Sequence, residues 1–77
     1  MNRTLLLKGL PLGIGIRNVY EACRQYGQIL RVVVENAGVW EEPASVAVVE
    51  FSRQEDAETA RTIFANRSIG TPWIFVD

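Results

Sequence analysis

A chain of 77 residues holds one small domain, near the lower limit at which a single core stabilises itself. Eight Lys and Arg against nine Asp and Glu leave a formal charge of -1, which disfavours tight, phosphate-driven association with nucleic acid by this chain alone. The sequence has no histidine and one cysteine, Cys23, which excludes an internal disulfide and a cysteine-cluster metal site and removes the usual general base. No cofactor or catalytic constellation is expected. No apolar run approaches the ~20 residues of a membrane span, and no charged-then-apolar leader stands at the start. The expected location is intracellular.

In chain order, Thr4 to Lys8 reads as a first strand, closed by Gly9-Leu10-Pro11. Leu12-Gly13-Ile14-Gly15 reads as a loop, because two glycines in three positions disfavour regular structure. Gly13 and Gly15 lack the third glycine of a dinucleotide-binding loop, since Asn18 holds its place. From Ile16 the spacing turns helical: Ile16, Val19, Tyr20, Cys23 and Tyr26 form one apolar face, and Cys23 is expected in the core. Gly27 is expected to end that helix in a left-handed conformation.

Ile29 to Glu35 is dense in β-branched residues and predicts a second strand. A long connection follows, through Asn36-Ala37-Gly38 to Pro43. Ser45 to Phe51 alternates as a third strand. Ser52 and Glu55 have capping-box spacing, opening a helix with Ala57, Ala60, Ile63 and Phe64 on its apolar face. Glu55, Asp56 and Glu58 near its start favour the helix dipole rather than a metal. Asn66 to Thr71 turns back, and Pro72 to Val76 predicts a last strand. The order βαββαβ predicts an α+β, ferredoxin-like domain over 1–77: a four-stranded antiparallel sheet with two helices on one face.

Four pieces choose among the families that share this topology. They are Leu5 to Leu10 on the first strand, Tyr26-Gly27-Gln28-Ile29 entering the second, Ala44 to Phe51 on the third, and Glu55-Asp56-Ala57 with Ala60 on the second helix. In that order and spacing the chain resembles the RNA recognition motif family over almost its full length. The resemblance implies a module that binds single-stranded RNA in a ribonucleoprotein or RNA-processing factor. It also implies aromatic rings where this chain has Leu6, Val46 and Val48, and a cation at Ala44. Base–aromatic stacking contributes about 1–3 kcal/mol per base, so losing two or three rings forfeits roughly 2–9 kcal/mol. The resemblance is thus to an atypical member.

Alternation sets the open face. Leu6, Val33, Val46 and Val48 are expected outward, with Ile74 and Val76 joining them in the family's register; Lys8, Arg31 and Glu35 edge the patch. An apolar surface of that size calls for an occupant. Trp40 is expected to project from the long connection, either as a stacking or inserting ring or folded against the sheet edge. Beside it, Glu41 and Glu42 repel phosphates. Arg67 matches the Arg-x-Phe sequence with which a splicing-factor subclass of the family docks tryptophan-bearing peptides. Ile69 stands in place of its phenylalanine, however, so Arg67 reads as a loop residue. Two expectations follow for the face. Either single-stranded RNA is held weakly by Leu6, Lys8, Arg31, Val33, Trp40, Val46, Val48, Ile74 and Val76, or the same surface docks a protein partner or a second copy of the domain.

Overall fold

The computed structural model describes residues 3–36, 40–41, 43–66 and 74–76, without the side chains of 65, 66 and 74–76. Its elements run β1 (Thr4–Leu10), α1 (Ile16–Cys23), a 3₁₀ turn (Arg24–Tyr26), β2 (Ile29–Asn36), β3 (Ser45–Phe51), α2 (Gln54–Asn66) and β4 (Ile74–Val76). The strands pair antiparallel in the order β2-β3-β1-β4. The expected turn at 66–71, the stretch Arg67 to Gly70, and Pro72 and Trp73 lie wholly or largely outside the described residues.

Alternation produces the layering. Along β3, Ser45, Ala47, Val49 and Phe51 are buried while Val46, Val48 and Glu50 between them are only half-buried. Leu5 and Leu7 join the buried row from β1, and both helices pack over it. From α2 come Ala57, Ala60 and Phe64; from α1 come Val19 and Cys23. Small residues at 57 and 60 let α2 approach the sheet closely. Tyr26 meets Phe64 edge-on, ring centroids 5.8 Å apart, which ties the end of the first helical segment to the second helix. Burial pushes the Cys23 thiol from its ordinary 9.0 up to about 12, so Cys23 is a core residue and not a nucleophile.

Four local expectations are corrected. β1 does not stop at Lys8: it continues to Leu10 through an irregularity between Leu7 and Leu10, where Gly9 adopts φ 73. That left-handed residue lets Lys8 and Gly9 both stay exposed while Leu10 returns to the core. Ile16 and Tyr20 do not join the core. Helix α1 is only eight residues long and turns Val19 and Cys23 into the core, so Ile16 and Tyr20 on its flank stand over a groove beside β2, 55% and 41% exposed.

Gly27 is extended, with φ 161, rather than left-handed. The position requires glycine for another reason: a Cβ there would stand 2.6 Å from the Cβ of Asp56 in the first turn of α2. The capping box does not form as expected either. The helix opens at Gln54, with the Arg53 carbonyl accepting from the Ala57 N–H at 3.3 Å. The Ser52 N–H donates instead to the Gln28 carbonyl at 2.9 Å, extending the β2–β3 seam, and the Glu55 carboxylate turns to Arg53 at 2.6 Å.

Candidate functional site

The helix-free face of the sheet is organised by its registers. Val33 of β2 lies opposite Val48 of β3, which lies opposite Leu6 of β1, and Leu6 in turn pairs with Val76 of β4. Val33, Val48 and Leu6 therefore form a row across the middle of the sheet, each half-buried by its neighbours with its outer surface open. Toward one end, Val46 pairs with Glu35. On the other side of β1, Lys8 pairs with Ile74 and is exposed, with no ion pair among the described residues. The expected orientation of the Ile74 and Val76 side chains lies outside what is described; their backbones pair with β1 where the face requires them.

At the other end, sequence reasoning overlooked a feature. Glu50 continues the outward alternation of Val46 and Val48 and sits between two arginines. Its carboxylate lies 3.8 Å from the Arg31 Nε and 3.7 Å from an Arg3 guanidinium nitrogen. Registers place Thr4, Glu50 and Arg31 in one row. Such exposed pairs contribute roughly 0–1 kcal/mol, so the carboxylate does little for stability. Its effect is electrostatic: it partly neutralises the two cations that flank the valine row. The signal was present, since extending the alternation two residues past Val48 reaches Glu50.

Trp40 is 94% exposed, beside the exposed Glu41, so it does not fold against the sheet edge. The structure therefore brings Leu6, Val33, Val46 and Val48 together, sets Arg31 and Lys8 on opposite flanks, and holds Trp40 apart from them. No aromatic side chain stands on this face among the described residues. What the surface offers is a shallow aliphatic floor with cations at its margins. It can take up a flat apolar group, but it cannot stack one.

The sequence profile of the RNA recognition motif matches residues 5–70. The chain belongs to the RNA recognition motif family. It is similar to "Multiple RNA-binding domain-containing protein 1" of Aspergillus fumigatus, with 28% identity over 76 residues, covering 99% of this chain and 8% of that protein. This motif thus spans a small fraction of that relative's length. Among solved structures, the N-terminal three RNA-binding domains of the yeast splicing factor Prp24 superpose with a TM-score of 0.76 at 27% identity. That superposition covers 96% of this chain and 30% of that one. The first RNA recognition motif of Plasmodium falciparum SR1, solved in complex with ACAUCA RNA, gives 0.71 at 24% identity over 96% and 81% of the two chains.

Proposed function

We propose that this chain is a noncanonical RNA recognition motif of an intracellular RNA-processing or ribonucleoprotein factor, a binding module without catalysis. It contacts single-stranded RNA weakly, with bases resting on Leu6, Val33, Val46 and Val48 and the face continuing over Ile74 and Val76. Lys8 and Arg31 meet phosphates at the margins, and Trp40 supplies a ring from its loop. The observation that carries this reading is the Val33–Val48–Leu6 row, open at the centre of the sheet where the family places its bases. Family membership supports RNA as the ligand; the aliphatic floor and the Glu50 carboxylate account for weak binding.

An amide-resolved NMR titration with mixed single-stranded RNA, at low and then moderate salt, tests it. Shifts are expected at Leu6, Lys8, Val33, Val46 and Val48. Replacing Lys8 and Arg31 together by alanine should lower affinity and flatten the salt dependence by about 1.4 in log–log slope, two phosphates at about 0.7 each. A spectrum unmoved by RNA at low salt would remove RNA from the proposal.

A second reading draws on the absence of rings and on the acid at the face, since both suit a protein ligand better than a nucleic acid. In that case the apolar row docks a partner protein. Val46→Asp then abolishes partner association with the fold intact, and unchanged association would exclude this surface.

A further inference from the structure

The valine face leaves one part of the sheet unused. Strand β2 forms an edge of the sheet, with β3 on one side and no strand on the other among the described residues. The edge is eight residues long, Ile-Leu-Arg-Val-Val-Val-Glu-Asn from Ile29 to Asn36. Natural edges are normally blunted by charged side chains, lysine above all, by proline or by a bulge. This one has neither lysine nor proline; its charges, Arg31 and Glu35, are of opposite sign and flank three successive valines, and its irregularity, between Ile29 and Arg31, lies at one end.

The charges on this edge are symmetric about its centre. Arg31 stands two residues before Val33 and Glu35 two residues after, and all three belong to the open face. If a second copy pairs antiparallel with the two-fold axis at Val33, Arg31 lies opposite Glu35 of the second copy and Glu35 opposite its Arg31. Val32 meets Val34 in the same register. Shifting the axis by one residue sets Arg31, or Glu35, against a valine and loses both unlike-charge pairs. Directly opposed unlike charges stabilise antiparallel strands and like charges destabilise them. The strand therefore selects its own register.

A second observation lies just beneath the edge. Ile16 and Tyr20 of α1 and Leu30 of β2, three of the largest exposed apolar side chains, line one groove of about 450 Å³, with Val32 also on its wall. Leu30 falls at the irregularity, between the paired residues Ile29 and Arg31, and is 52% exposed. A strand added to β2 lays the valine opposite Val32 at the mouth of this groove.

We propose that two copies of this chain join along β2 as an antiparallel, two-fold dimer in the register that sets Arg31 against Glu35 of the second copy. The two sheets become one, with both valine rows on the same side. The valine rows stay uncovered, and Arg31 is the one charged residue this assembly shares with the ligand proposed for that face. An edge of eight residues is far smaller than the ~1,600 Å² of a standard stable interface. Association is therefore reversible and concentration-dependent.

Sedimentation equilibrium of the chain from micromolar to millimolar concentration, without RNA, tests this directly. A monomer–dimer equilibrium is expected. Arg31→Glu and Glu35→Arg should each weaken it by roughly tenfold or more, because each alone opposes like charges at both contacts. Mixing the two variants should restore association, since unlike charges then face each other twice. Amide spectra check that each variant is folded. Should Arg31→Glu unfold, because Arg31 also neighbours Glu50, the comparison of Glu35→Arg with the parent chain suffices. Val48→Asp, on the open face, should leave the dimer in place. A chain monomeric throughout the range overturns the proposal. So does a dimer that ignores Glu35→Arg, and loss of that dimer on Val48→Asp would assign it to the valine face.

Discussion

Strand β3 presents two surfaces built from nearly the same residue types, and they are held to different standards. Toward the helices, Ala47, Val49 and Phe51 are fully buried, and each fills space that Leu5, Leu7, Ala57 or Phe64 would otherwise leave empty. Toward the open side, Val46 and Val48 are half-buried beside their cross-strand neighbours, and Glu50 sits between two arginines. The inner row is constrained by volume, because interiors are close-packed and a missing methylene is felt. The outer row, half-buried and open on one side, carries no such constraint on volume. The architecture therefore rests on the inner row, and the residue types of the outer row can change without disturbing it.

The difference between the faces can be measured. Phe51→Ala should cost about 3–5 kcal/mol in denaturant unfolding, whereas Val48→Ala on the opposite side should cost no more than about 1. Equal costs would mean that the two faces are not distinct. Next in size, Val48→Phe should raise RNA affinity by about 1–3 kcal/mol by restoring one stacking ring, with unfolding little changed. An affinity that does not move would place the bases elsewhere.

A smaller effect lies on the buried side, at Cys23. The unfolded thiol ionises near its ordinary 9.0 while the folded one holds its proton to about 12. The unfolded state therefore loses its proton first, and stability present below pH 9 falls as pH rises toward 12. Melting temperatures of the chain and of Cys23→Ala, followed into that range, should converge as pH rises. Smallest in stability is Glu50→Gln, expected to change unfolding by less than about 1 kcal/mol. It should tighten RNA binding at low salt by releasing Arg3 and Arg31.

The sequence showed the sheet well, because alternation is a local property that survives folding: Val46 and Val48 were assigned correctly from Ala47, Val49 and Phe51 alone. Where it misled, the cause lay far away in the chain. Gly27 looked like a helix terminator, yet it is glycine because Asp56 approaches it, and nothing near residue 27 announces that. Ile16 and Tyr20 have the spacing of a buried face. Whether that face is covered depends on how far the sheet extends beneath a short helix. Ser52 and Glu55 had the spacing of a capping box, but the strand seam took the Ser52 N–H and Arg53 took the carboxylate. Gly9 shows the same limit within a strand: a residue that breaks strands in isolation here lets one continue past an irregularity.

The central position of β1 has a consequence for how the molecule is made. Leu7 has Ala47 on one side and Phe75 on the other, so the first of the four strands to be synthesised must wait for two partners that follow it. The β2–β3 hairpin can close early, but β1 stays unpaired until β3 has emerged and gains its second neighbour only when β4 does. Such non-local pairing slows folding and leaves apolar strand exposed meanwhile. During synthesis, Leu5, Leu6 and Leu7 are thus an apolar stretch that stays unpaired until later strands arrive.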